Sequence, residues 1–316
     1  MPAVREVEAL KSMGMKRIAM GLCALLLCAG FFFGIPTGRG SGLSVRASAY
    51  SAPAFRGAAY HEDAAVDGGR VKIDTSGASE GYVAVSATSD RRLKFQVIKG
   101  EDTYTYDLPN DGTPGIFPLQ SGDGSYFFRV MENVVDKKYS ELYSLTVDVR
   151  LLDPYQPFLR PSTYISYTEE SECVQKAAEL AEPADDALGV VTAVYSFVCR
   201  QVTYDREKAA TVKSGYLPDP DETMRTGKGI CFDYAALAAS MLRSQGIPTK
   251  MVFGYVSPNG LYHAWNMFYT EQTGWVTVGF QVSGKDWNRL DLTFSANGQD
   301  ASFIGDGSNY SDVYFY

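Results

Sequence analysis

Gly229-Ile-Cys231-Phe-Asp-Tyr-Ala235 is followed by Tyr262-His-Ala-Trp-Asn266 and then by Leu290-Asp-Leu-Thr-Phe294. The first stretch opens a helix over 231–244, with Gly246 placed as its C′ residue and Pro248 preventing continuation. The other two sit in strand-like sequence, 261–270 and 289–294. A thiol, an imidazole and a carboxylate in that order can serve as nucleophile, general base and the group that orients the base. The chain has 2 histidines, His61 and His263, and only His263 lies in the same half as Cys231.

A cysteine attacks as thiolate, from an ordinary pKa of about 8.5. Lowering that by about four units takes roughly 5 kcal/mol. A helix N-terminus supplies about 1–2 kcal/mol, so a nearby imidazolium is expected to supply most of the rest. Strand alternation puts His263 on one face with Leu261 and Trp265, and Asp291 on one face with Arg289 and Thr293. If the two strands are neighbours, Asp291 can accept from the outer imidazole N–H and fix the tautomer. Backbone N–H groups around Cys231 can hold an oxyanion, with Tyr204 and Tyr216 as side-chain donors there or to substrate. Trp265, beside the base, would exclude water or shape an acyl-acceptor channel. Blander readings stand beside these: Cys231 as a small buried hydrophobe, Asp233 as a first-turn acid complementing the helix dipole, and Trp275 as a core aromatic.

Working outward, residues 1–49 differ from the rest. Lys16 and Arg17 precede an apolar run, 18–35, which Pro36 and Gly38 break, and Ala47-Ser-Ala49 follows as a small-residue cleavage motif. This reads as a secretory signal, with an uncleaved N-terminal membrane anchor as the alternative because the run is long. Residues 50–68, rich in Ala, Gly and small polar residues, read as a flexible lead-in. Short β-rich runs between turn residues over 69–152 predict a small antiparallel sandwich. Asp153-Pro-Tyr-Gln-Pro-Phe-Leu-Arg-Pro161 predicts a stiff extended linker, 153–168. Over 169–316, two helices (169–180, and one capped by Asp185), a polar loop-like stretch (204–229) and the 231–244 helix precede further strands, with 310–316 as a closing edge.

The net charge is −8, and beyond residue 49 it becomes −12. Scattered basic residues in an acidic chain argue against a nucleic-acid partner. Cys173, Cys199 and Cys231 remain there, an odd number, and Cys231 is expected to be free; whether Cys173 and Cys199 pair is left open. No Cys/His pair has zinc-ligand spacing and no EF-hand loop occurs, so neither metal nor other cofactor is expected.

The blocks 229–235, Arg243-Ser-Gln-Gly-Ile-Pro248, Gly254-Tyr-Val256, His263-Ala-Trp-Asn266 and Asp291-Leu-Thr-Phe294 resemble the transglutaminase-like superfamily over about residues 170–295. The resemblance implies an α+β chain: a papain-like catalytic domain, helices packed on an antiparallel sheet, preceded here by the small all-β sandwich. The family pattern carries over as a Cys231–His263–Asp291 triad. Leu292 stands where members often have Pro, and 279–288 reads as an insertion, which makes Asp286 the alternative third residue. The implied activity is acyl transfer or hydrolysis at amide bonds of a protein or peptide substrate, with cell-wall or surface proteins as candidates, in an exported or cell-surface setting. The competing function class is a non-catalytic surface module that acts in adhesion or assembly and keeps a relic triad.

Overall fold

The computed structural model describes residues 49–256, 261–278 and 310–316. Strands β1 (Ala65–Asp67), β2 (Val71–Asp74), β3 (Tyr82–Ala87), β4 (Leu93–Lys99), β5 (Asp102–Leu108), β6 (Gly115–Pro118), β7 (Gly124–Val135) and β8 (Lys138–Val149) come first. They form two antiparallel sheets, ordered β1-β2-β3-β6 and β5-β4-β7-β8. Alternation sets the faces: Leu93, Phe95 and Val97 point inward while Lys94 and Gln96 are half-buried. They share one buried cluster with Ile73, Val83, Val85 and Phe117 of the other sheet. This N-terminal β-domain has the two-sheet form expected from the sequence; β1 and β6, three and four residues long, are too short to show periodicity.

The segments on either side of this domain are packed, contrary to expectation. Tyr50 donates its N–H to the Ala184 carbonyl (2.8 Å) and its hydroxyl to the Gln245 carbonyl (2.5 Å), and Phe55 meets the Tyr167 ring at 5.9 Å. Two anchored aromatics fasten a lead-in whose composition reads as flexible. The Pro-rich stretch after the domain turns through a short 3-10 helix, Gln156–Phe158, and buries Phe158, Leu159 and Ile165. Its apolar side chains bury it despite the extended reading of its prolines.

The C-terminal half runs α1 (Glu172–Ala181), α2 (Ala187–Gln201), β9 (Thr203–Tyr204), α3 (Arg206–Thr211), α4 (Pro220–Thr226), β10 (Lys228–Gly229), α5 (Cys231–Ser244), β11 (Thr249–Val256), β12 (Leu261–Thr270), β13 (Gly274–Val278) and β14 (Tyr310–Phe315). Asp186, not Asp185, caps α2, accepting from the Gly189 N–H at 2.8 Å. The stretch read as a loop holds α3 and α4, whose caps Asp205 and Asp219 accept from the N–H groups of Lys208 (2.8 Å) and Glu222 (3.0 Å). The sheet is antiparallel and ordered β13-β12-β11-β14, with β14 at its edge.

Helix α5 is the spine of this half. Ala235, Ala236, Ala238 and Ala239 are fully buried, and their small side chains let neighbouring elements approach closely. Asn266 of β12 donates to the Ala235 carbonyl at 3.0 Å, so the face of β12 that carries Ala264, Asn266 and Phe268 abuts the helix. The helix ends in a Schellman motif: Ile247 N–H bonds the Leu242 carbonyl (3.0 Å) and Gly246 N–H the Arg243 carbonyl (2.9 Å). Gly246 has φ +76°, and a Cβ there would lie 2.2 Å from Pro53.

Two features bind the halves together. Rings form a continuous seam: Tyr106 to Tyr316 (5.4 Å), Tyr316 to Tyr164 (4.8 Å), Tyr164 to Phe232 (5.7 Å) and Phe232 to Phe253 (5.1 Å). Arg243, 2% exposed, donates to the carbonyls of Thr249 (2.8 Å), Arg160 (2.7 Å) and Tyr316 (2.9 Å). Burial pushes its pKa down to about 10, and the guanidinium fork reaches all three acceptors at once. Arg243→Lys is expected to lose at least one of these bonds and to lower stability by about 3 kcal/mol. Urea unfolding checks this as a lower midpoint at unchanged m.

Candidate active site at the start of the central helix

Cys231 is the first residue of α5, a free and half-buried cysteine. Gly229 and Ile230 lead into it. Gly229 lies in the two-residue parallel pairing of β10 with β9, and a Cβ there would sit 2.7 Å from the Asp233 side chain. Ile230 is extended at the N-cap, and its N–H donates to Asp233 Oδ2 at 2.8 Å. Asp233 closes the first turn from within, as a residue at N3 can.

His263 lies on β12 opposite Gly254 of β11 and is 5% exposed. The link between the candidate nucleophile and the candidate base is made through the backbone. The peptide joining His263 to Ala264 presents its N–H to the Cys231 sulfur, as do the N–H groups of Phe232 and of Cys231 itself. Residues 32 positions apart in sequence thus meet where α5 begins and β12 passes.

The electrostatics differ from the expectation of a resting thiolate. Burial pushes the Cys231 thiol up, and the Asp233 charge adds to this, while the three N–H groups pull it back; the net shift is upward. A shift in that direction disfavours the thiolate, so attack is helped by a base that takes the proton.

The other sequence candidates separate. Burial raises the Tyr204 pKa, and the Cys231 charge adds to this, so the phenol lies within electrostatic reach of the sulfur. Tyr216 is committed elsewhere: its hydroxyl donates to Asp233 Oδ1 at 2.5 Å, so the role of oxyanion donor is corrected to that of a partner of the buried acid. Trp265 is fully buried, with its ring 6.5 Å from the imidazole and inclined by 22°. That position excludes water beside His263 and does not line an open channel. Trp275 packs against Phe158 (5.4 Å) under the Lys250 ammonium (4.2 Å), a structural position. Asp291 and Asp286 lie outside the described residues, as does the apolar run near the N-terminus. Among the described residues, no group of three or more His, Cys, Asp or Glu is placed to hold a metal ion, and no helix is long and apolar enough to cross a membrane. Cys173 and Cys199 are both free.

Sequence reasoning missed three participants. The Ala264 N–H carries no side-chain signal. Tyr262, half-exposed, feels the Cys231 charge after burial and its tyrosine neighbours, but as a strand residue it looks ordinary. Lys208 pairs with Asp233 and was hidden in the stretch read as a loop; Asp205 as a helix cap three residues earlier was the available clue.

Residues 174–280 match the sequence model of the Transglutaminase-like superfamily, so the chain carries a transglutaminase-like domain. It is similar to kyphoscoliosis peptidase of Mus musculus, 26% identical over 186 residues, which cover 56% of this chain and 25% of that protein. The human kyphoscoliosis peptidase is 29% identical over 143 residues, 42% of this chain and 21% of that protein. The chain thus spans at most about a quarter of the length of these relatives. Among solved structures, red sea bream transglutaminase aligns over 66% of this chain and 49% of its own, at 13% identity and a TM-score of 0.29.

A thiol pushed upward in this way makes a definite prediction. Iodoacetamide labelling of Cys231 in the free protein should keep rising with pH through the ordinary thiol range, without levelling near pH 6. A plateau at about pH 6, read by mass spectrometry of the labelled peptide, would instead mark a preformed ion pair.

Proposed function

We propose that the transglutaminase-like domain is a thiol enzyme that transfers or hydrolyses the acyl group of an amide bond in a protein or peptide substrate. The observation that carries this reading is the contact of the Cys231 sulfur with the His263–Ala264 peptide at the N-terminus of α5. It brings the candidate nucleophile and the candidate base to neighbouring positions.

The steps follow from the residues. His263 takes the thiol proton as Sγ attacks the amide carbon, and the C=O electrons move onto oxygen. The N–H groups that face the sulfur belong to the first turn of α5, where amides lack helical acceptors, and to β12. They are placed to receive negative charge as it develops, first on sulfur and then on the oxyanion beside it. The imidazolium returns its proton to the leaving amine as the C–N bond breaks, leaving a thioester on Cys231. Water or an amine then attacks, passes its proton to His263, and sulfur departs to take that proton back. The orienting role proposed for Asp291, with Asp286 as the alternative, rests on the sequence alone.

Export, through a cleaved signal or an N-terminal anchor, and a cell-wall or surface protein as substrate are part of the same proposal. They rest on the charged and apolar pattern of residues 1–49 and on the acidity of the remainder.

Cys231→Ala is expected to abolish turnover of peptide substrates, and His263→Ala to reduce it by about 10³-fold or more. Peptides incubated with the protein, with and without a labelled primary amine, separate the two outcomes of the thioester. Incorporated label marks transfer, and cleaved peptide alone marks hydrolysis. Undiminished turnover by Cys231→Ala rejects the proposal.

A further inference from the structure

Two residues beyond Cys231, α5 carries a carboxylate that is wholly inside the protein: Asp233 is 0% exposed. A helix N-terminus favours an acid there, but the nucleophile at the same helix end must itself become negative. Two like charges this close oppose one another, and Asp233 acts on both Cys231 and Tyr204 in that direction.

The structure holds a partner for the acid. Lys208 of α3 places its Nζ 2.8 Å from Asp233 Oδ2 and 2.7 Å from the Tyr216 hydroxyl, to which it donates. Tyr216 in turn donates to Asp233 Oδ1 at 2.5 Å, and the ammonium lies 4.4 Å from the centre of its ring. Both carboxylate oxygens are therefore engaged, Oδ2 also by the Ile230 N–H. The position of Lys208 is itself fixed. Its own N–H is bonded by the cap Asp205, and the Asp205 N–H donates to the Gly229 carbonyl at 2.9 Å. Lysine, tyrosine and acid thus tie α3, the following loop and the first turn of α5 into one unit.

We propose that Lys208 and Tyr216 are positioning residues for Cys231, acting through the buried carboxylate of Asp233. They hold the first turn of α5 in place, and Lys208 offsets the negative charge that would otherwise oppose ionisation of the nucleophile. This rests on the reading of Cys231 as the nucleophile. The other ionisable groups facing the unit stay in place: Asp219 and Glu222 toward Tyr216, Asp205 toward Tyr204, and Tyr262 and His263 on β12.

The test uses the full chain and the pH dependence of iodoacetamide labelling at Cys231, with thermal midpoints recorded alongside. Lys208→Met should move the labelling midpoint up by about one pH unit, with labelling about tenfold slower at pH 7. Lys208→Arg should restore the wild-type profile. The double variant Lys208→Met/Asp233→Asn should also return the midpoint toward wild type, because the charge goes with its partner. Tyr216→Phe should shift it in the same upward direction by less. An unmoved midpoint in Lys208→Met overturns the proposal. So does a double variant that folds and stays as slow as Lys208→Met, because loss of structure rather than charge would then explain the change. His263→Ala in the same series keeps the two readings apart: unaltered peptide turnover there rejects the triad while leaving the labelling test of Lys208 intact.

Discussion

A helix that begins inside a protein must find partners for its first amides beyond its own turn. Helix α5 begins in this way, and the site is built from how that demand is met. The Ile230 N–H is taken by Asp233, while the amides of Cys231 and Phe232 turn toward the sulfur, joined by that of Ala264 from the sheet. Donors left over at a buried helix end are also the kind of donors that the proposed acyl transfer would use. Gly229 belongs to the same solution, because Asp233 occupies the space a side chain there would take.

The remainder of the fold keeps that end from moving. Its far end is closed by Gly246 and held by Arg243, whose three bonds draw in the stretch after the β-domain and strand β14. The aromatic seam runs from β5 of the sandwich through Tyr316 and Tyr164 to Phe232, the residue next to Cys231. Residues of the β-domain therefore bear on the site through packed rings without supplying reacting groups. Rings suit this task, since each buries a large area and loses little side-chain freedom.

What the sequence made legible follows from where the pattern is local. Helix 231–244, its Gly246 stop, strands 93–99 and 261–270 and the edge strand from Tyr310 are set by short-range periodicity and caps, and they stand where the pattern put them. Residues 204–229 were read as a loop because α3 and α4 are six and seven residues long, below the length at which an apolar stripe repeats. The lead-in and the Pro-rich segment misled for another reason. Tyr50, Phe55 and Phe158 find distant partners, and composition within the segment does not encode them. At the site, residue types singled out Cys231 and His263 as candidates, but they gave no sign that the Tyr216 hydroxyl is taken by Asp233. A tyrosine beside a nucleophile and a tyrosine beside a buried acid look alike until the fold brings Asp233 within reach.

Burial acts in two directions at Cys231. It raises the cost of the thiolate, and it strengthens every N–H contact made to charge once that charge appears. A wetter site would ionise the sulfur more readily at rest and stabilise the transition state less. On the proposed chemistry, the arrangement favours proton transfer concerted with attack, and Trp265, fully buried with its ring 6.5 Å from the imidazole, shields the candidate base. The half-exposed Tyr262 marks the side on which the same strand meets solvent, one residue before the base. On the proposed chemistry, this open rim is where a polypeptide would enter, and the fate of a thioester on Cys231 would depend on which acceptor reaches the carbonyl first.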